Sequence, residues 1–272
     1  RQGGSRQPMN TTATDSAPIL SIENMAVHFG GLVAVSGLNF VVHEKKIVSL
    51  IGPNGAGKTT AFNVITGFLK PTEGTVRHRG TSLNGLRPNE IAERGVVRTF
   101  QKTSVFDGST VYDNVLRGLH LRGKSRSWEI LLNLSRVRAE ERRLRETATE
   151  ILDLVGLLGR SRELASDLPY GEQRLLEVAV ALSAEPSLLL LDEPVSGMNP
   201  SETENFMEFV SRIRDRGTTI LLVEHDMRMV MGVSDRVIVL NQGTVIAEGT
   251  PTEIQHNPEV IRAYLGRGST DA

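Results

Sequence analysis

Gly52-Pro53-Asn54-Gly55-Ala56-Gly57-Lys58-Thr59-Thr60 is the stretch from which the rest of this sequence is read. It fits the pattern G-x-x-x-x-G-K-[ST]. The preceding run, Lys46-Ile47-Val48-Ser49-Leu50-Ile51, is apolar and stops at Gly52, which predicts a buried strand. Residues 59–68 have helical composition. Strand, glycine-rich turn and helix form the setting in which backbone N–H groups turn inward around a polyphosphate. The helix start adds partial positive charge at the same place. There Lys58 would reach the β- and γ-phosphates of a nucleotide, and the Thr59 hydroxyl would bind Mg²⁺.

Further along, Ser187-Leu188-Leu189-Leu190-Leu191-Asp192-Glu193-Pro194 predicts a fully buried strand ending in two carboxylates. Packing explains such a pair poorly, because burying an unpaired charge is costly. In open α/β sheets the ligand crevice lies beyond the carboxyl ends of the strands. Asp192 is therefore the candidate for the Mg²⁺ shell, and Glu193 for polarising the water that attacks the γ-phosphate. Thr218-Thr219-Ile220-Leu221-Leu222-Val223 is a second core strand, with Glu224-His225-Asp226 at its end. His225 would hydrogen-bond the γ-phosphate as neutral donor or cation. Val96-Val97-Arg98-Thr99-Phe100-Gln101 predicts another strand, ending in an amide that both donates and accepts. Gln101 is a surface glutamine or a contributor to the metal and attacking-water site. Phe29 is an ordinary half-buried aromatic or a stacking platform for a base.

The remaining elements frame these motifs. Residues 19–22 open the fold as a strand, and residues 25–40 predict strand, turn and strand about Gly30-Gly31. Residues 116–150 are helical in composition and heavily charged, with Glu141 and Arg145 spaced as an i, i+4 pair. Leu168-Pro169-Tyr170-Gly171-Glu172-Gln173 leads into an apolar-striped helix whose start, near Gly171, could receive an anion. Asn199 caps a helix opened by Pro200, and Thr250-Pro251-Thr252-Glu253 is a capping box.

Composition narrows the class. The chain has 272 residues, no cysteine and a net charge of −1. That suits one large α/β domain with an insertion and excludes disulfides and zinc–thiolate sites. Balanced charge, and basic residues that alternate with acids without aromatics between them, argue against nucleic acid as a partner. No apolar run reaches the ~20 residues of a membrane helix, so a membrane role must come through a partner. Residues 1–17 read as a disordered tail, an added remnant or the cut end of a longer chain, and residues 267–272 as a tail.

In this order the motifs resemble those of ATP-binding cassette proteins across residues 18–266. Residues 52–60 look like Walker A and residues 188–193 like Walker B. Gln101 looks like the Q-loop glutamine, His225 like the switch histidine, Phe29 like the adenine-stacking aromatic and residues 168–173 like the signature motif. Phe29-Gly30-Gly31-Leu32-Val33-Ala34-Val35, Asn63-Val64-Ile65-Thr66-Gly67-Phe68, Tyr170-Gly171 and the ending Pro258-Glu259-Val260-Ile261-Arg262-Ala263-Tyr264-Leu265-Gly266 are similar to the ATPase subunits of branched-chain amino acid importers. The resemblance implies an α/β fold: a P-loop NTPase core with an N-terminal antiparallel β subdomain and an α-helical subdomain inserted at about residues 104–185. It implies an ATPase using ATP and Mg²⁺ at the cytoplasmic face of a bacterial membrane, energising import of leucine, isoleucine and valine; import of urea, amides or other amino acids, and a non-transport cassette ATPase or ATP-dependent clamp, are the alternatives. Two permease subunits, a second and different cassette subunit, and indirectly a substrate-binding protein would be its partners. Two cassettes would pack head to tail, with Tyr170, Gly171 and Glu172 facing the nucleotide held by the opposite Walker A loop. Pro169 and Glu172 replace the family's usual Ser and Gln, and Asn199 its usual Asp. These departures predict that the composite site using this signature is the weaker of the two.

Overall fold

The computed structural model describes residues 18–99, 105–122 and 134–265. The terminal tails and Gln101 lie outside them. Among the described residues two sheets form the frame. β1 (Pro18–Phe29) and β2 (Leu32–His43) make a long antiparallel hairpin. A bulge at Asn24, whose φ is +48°, interrupts the pairing where two separate strands were expected; β1 runs through it as one. β3 (Ile47–Ile51) leads through the glycine-rich loop to α1 (Lys58–Ile65). That helix ends sooner than the expected residue 68. Gly67 takes φ +76°, and a side chain there would run into Leu86 and Ile91. β4 (Glu73–His78) and β5 (Thr81–Ser82) complete the antiparallel sheet, in the order β2-β1-β4-β5.

α2 (Pro88–Glu93) and β6 (Val96–Arg98) follow. The charged region then holds two helices, α3 (Val111–Arg122) and α4 (Leu134–Leu154). The Thr110 hydroxyl accepts from the N–H of Asp113, which starts α3 earlier than composition suggested. Glu141 and Arg145 form their i, i+4 pair at 2.9 Å. α5 (Tyr170–Leu182), β7 (Leu188–Asp192), α6 (Pro200–Asp215) and β8 (Thr219–Val223) come next. α7 (Met227–Val233), the hairpin β9 (Arg236–Asn241) and β10 (Thr244–Gly249), α8 (Pro251–Gln255) and α9 (Pro258–Leu265) close the chain.

The second sheet runs β10-β9-β3-β8-β7-β6, parallel except for the β9–β10 hairpin. Its central strands β3, β7 and β8 are covered on both faces, which is why they read as continuous apolar runs rather than alternating ones. Leu189, Leu191, Ile220 and Leu222 pack against the helical layer of α3 to α6. Leu188, Leu190, Leu221 and Leu50 face the other way, toward α1 and the antiparallel sheet. The helical layer thus shares one core with the parallel sheet. The parallel topology also brings the carboxyl ends of β3, β6, β7 and β8 to a single edge, where the predicted chemistry sits.

Candidate nucleotide site

The loop from Gly52 to Gly57 is held by close backbone approach. A side chain on Gly52, at φ +150°, would stand 2.1 Å from the Leu240 carbonyl oxygen. One on Gly57, at φ +102°, would meet the Ala34 carbonyl at 2.9 Å. Both positions require glycine. The Gly243 N–H donates to the Ala56 carbonyl, and the Gly243 carbonyl accepts from Ser36, so the β9–β10 turn clips the loop to β2. Tyr264 of α9 also reaches the loop: burial raises its phenol pKa, and a hydrogen bond from the Gly52 backbone opposes that.

Lys58 opens α1 and is buried. Its ammonium donates to the Gly52 carbonyl at 2.6 Å and to the Pro53 carbonyl at 3.2 Å, spanning the loop from inside. Burial lowers its pKa, while the charges of Glu193 and Asp192 act to raise it. The lysine and both strand-end carboxylates therefore share one field. Thr59 is exposed on the first turn of α1 and Thr60 half-buried beside it.

Asp192 ends β7, and Glu193 follows at φ +46° with its N–H donating to the Val223 carbonyl at 2.8 Å. A non-glycine residue in that region is held against its own preference, at a cost on the order of 1–3 kcal/mol. The register that pairs Asp192 with Val223 sets this carboxylate beside the end of β8. His225 lies there, its Nδ1 3.8 Å from a Glu193 oxygen.

Lys58, Asp192, Glu193 and His225 thus gather at one edge. Phe29 ends β1 half exposed, opposite Leu32 at the hairpin tip. The signature residues are placed differently. Tyr170 turns its hydroxyl to the Ser196 carbonyl of its own chain at 3.0 Å. Glu172 lies 2.6 Å from Arg160, so its negative charge is met by a neighbouring cation.

Two residues that motif reading passed over complete the site. Arg98, at the end of β6, pairs with Asp192 at 2.5 Å and donates to the Asn63 side chain of α1 at 2.8 Å. A single basic residue in the apolar run Val96-Val97-Arg98 was the available signal. Glu224 is fully buried and accepts from the N–H groups of Val195, His225 and Asp226. Burial raises its pKa, and those backbone donors offset the rise only in part. An acid directly after a core strand was the signal there.

Comparison with known proteins shows the family. Residues 35–196 match the family described as ABC transporter, and residues 244–269 match the one described as branched-chain amino acid ATP-binding cassette transporter. The chain is 48% identical over 252 residues to the high-affinity branched-chain amino acid transport ATP-binding protein LivG of Escherichia coli strain K12, covering 92% of this chain and 99% of that protein. It is 44% identical, with the same coverage, to BraF of Pseudomonas aeruginosa, which carries the same description. Among solved structures, the ADP conformation of MJ1267, an ATP-binding cassette of an ABC transporter, superposes with a TM-score of 0.80 at 30% identity over 93% of this chain and all of that one. A chain with this phosphate loop, these strand ends and these relatives belongs to the ABC transporter family, on its branched-chain amino acid ATP-binding cassette branch.

Proposed function

We propose that this chain hydrolyses ATP to energise an importer for branched-chain amino acids such as leucine, isoleucine and valine. The observation that carries the reading is the gathering of Lys58, Asp192, Glu193 and His225 at one strand edge beside a glycine-built loop. Lys58 offsets charge on the transferring phosphoryl group, and the backbone from Gly52 to Thr60 cradles the chain of phosphates. Glu193 takes a proton from the attacking water as its oxygen bonds to the γ-phosphorus and ADP departs. His225, held beside Glu193, hydrogen-bonds the γ-phosphate. Arg98 keeps the Asp192 carboxylate aimed along the strand end. The Thr59 hydroxyl and Asp192 form an oxygen donor pair of the kind Mg²⁺ takes when phosphates and water complete its shell. Such an ion would neutralise phosphate charge. Gln101, outside the described residues, is assigned to the same shell and to the attacking water. Phe29 is assigned to the adenine.

The partners on this reading are two transmembrane permeases, a second cassette that is a different chain, giving a heterodimer, and indirectly a substrate-binding protein. The place of action is the cytoplasmic face of the membrane. No helix among the described residues is long and apolar enough to cross a bilayer, so attachment would run through the permeases. Tyr170, Gly171 and Glu172 would face the partner's nucleotide chiefly through backbone, since the Tyr170 and Glu172 side chains are engaged within this chain. Phosphate release by the permease-bound complex tests the reading: Glu193→Gln should lower it by about 10²-fold or more. Equal rates would remove Glu193 as the base. Stimulation by a binding protein loaded with leucine, and not with urea or an amide, supports the cargo; the reverse overturns it.

A further inference from the structure

The segment after β7 is gripped from two sides. On one side the buried carboxylate of Glu224 accepts from the Val195 N–H at 3.1 Å, and the same side chain accepts from His225 and Asp226. On the other side the Tyr170 hydroxyl donates to the Ser196 carbonyl at 3.0 Å. Arg174, one turn along α5, donates to that hydroxyl from Nε at 3.1 Å and Nη2 at 2.8 Å, and its guanidinium lies over the tyrosine ring. Glu177 anchors Arg174 in turn at 2.8 Å. The ring itself packs on Gly197, where φ is +84° and a side chain would come within 3.2 Å of it. A side chain on Gly171 would come within 3.1 Å of the Glu202 carboxylate at the start of α6.

We infer that Tyr170 is a positioning residue that straps the start of α5 to residues 195–197, the segment that follows Glu193. Glu224 supplies the other half of the strap. The arrangement resists independent movement because one bond from each side chain crosses to residues 195–196 while the rest fix that side chain on its own element. The consequence for turnover rests on the two-cassette reading given above: a site opened or closed on one nucleotide would be felt through this strap at the other.

Amide hydrogen exchange on the full chain without nucleotide reads the strap directly. Tyr170→Phe keeps the ring on Gly197 and removes only the hydroxyl. Exchange at residues 196–199 should quicken by about fivefold or more, while β8 is unmoved. Arg174→Gln, which leaves the tyrosine but removes its donors, should quicken the same residues less. Unchanged exchange there in both variants overturns the inference. In the assembled complex, Tyr170→Phe should lower kcat and the Hill coefficient for ATP while KM moves by less than about twofold. A shift in KM with kcat and Hill coefficient intact would also overturn it. If the wild-type complex releases no phosphate, the ATPase reading fails, and the exchange result alone decides the strap.

Discussion

Two helices of this molecule begin at glycine-bearing motifs, and they are held in opposite ways. The start of α1 is made of backbone: Gly52 against the Leu240 carbonyl, Gly57 against the Ala34 carbonyl, Gly243 clipped to Ala56. The start of α5 is made of side chains: Tyr170 on Ser196, Arg174 on Tyr170, Glu172 on Arg160. A site made of backbone is specified residue by residue, because at such positions nothing but glycine fits. A site made of side-chain pairs is specified only jointly. It tolerates an unusual residue when a partner elsewhere matches it. Pro169, the N-cap of α5 at φ −53°, and Glu172, met by Arg160, are substitutions of that tolerated kind.

The sharpest way to break the comparison is Gly52→Ala. At α1 the added methyl has a carbonyl oxygen 2.1 Å away and no flexible side chain to displace. We expect loss of nucleotide binding together with destabilisation of more than about 3 kcal/mol, seen as a lower urea midpoint and no thermal protection by ATP. A variant that binds nucleotide and melts normally would mean that the loop is not backbone-built.

A smaller effect comes from a buried histidine at the opposite end of the same strands. His78, at the end of β4, sits 3.1 Å from the Ser187 hydroxyl, which itself donates to the Gly95 carbonyl. Ser187 immediately precedes β7, the strand that ends in Asp192. Burial first, and the nearby Arg79 second, push the His78 pKa down to about 4 from 6.5. The unfolded chain therefore takes up this proton before the folded one does. The stabilisation is complete above pH 6.5 and is lost as pH falls toward 4. Its size is about 2 kcal/mol after discounting for solvent screening. Urea unfolding across that window should show the loss in wild type and a shallower slope in His78→Gln. Parallel slopes would place the proton uptake elsewhere.

The same contrast explains what was legible in the sequence. The parallel strands announced themselves as apolar runs because both sheet faces are covered, as with Leu188 to Leu191. The loop from Gly52 to Gly57 announced itself through its glycines. Arg98 did not, because its role depends on Asp192 and Asn63, both far off in the chain and brought near only by the order of strands. Glu224 was hidden for a related reason: what it holds is backbone, from Val195 and from its own successors, and no residue type marks that. The end of α1 was misjudged because propensity ran past Gly67, while close packing against Leu86 and Ile91 stops the helix there. Gln101 lies outside the described residues, so its sequence reading stands as a proposal.

The smallest effect tests the side-chain half of the comparison. Arg160 and Glu172 are both partly exposed, so their pair contributes little to stability; Arg160→Gln should leave the urea midpoint almost unmoved. Its consequence is electrostatic instead. With Arg160 gone, the Glu172 carboxylate at the start of α5 keeps its charge but loses its counter-ion, beside the surface assigned to the partner's nucleotide. ATP should then bind the two-cassette complex more weakly, and the deficit should shrink as salt is raised, because screening replaces the missing cation. Glu172→Gln in the same background should restore affinity, since it removes the charge that Arg160 was answering. If Arg160→Gln leaves affinity and its salt dependence untouched, Glu172 needs no counter-ion at the start of α5.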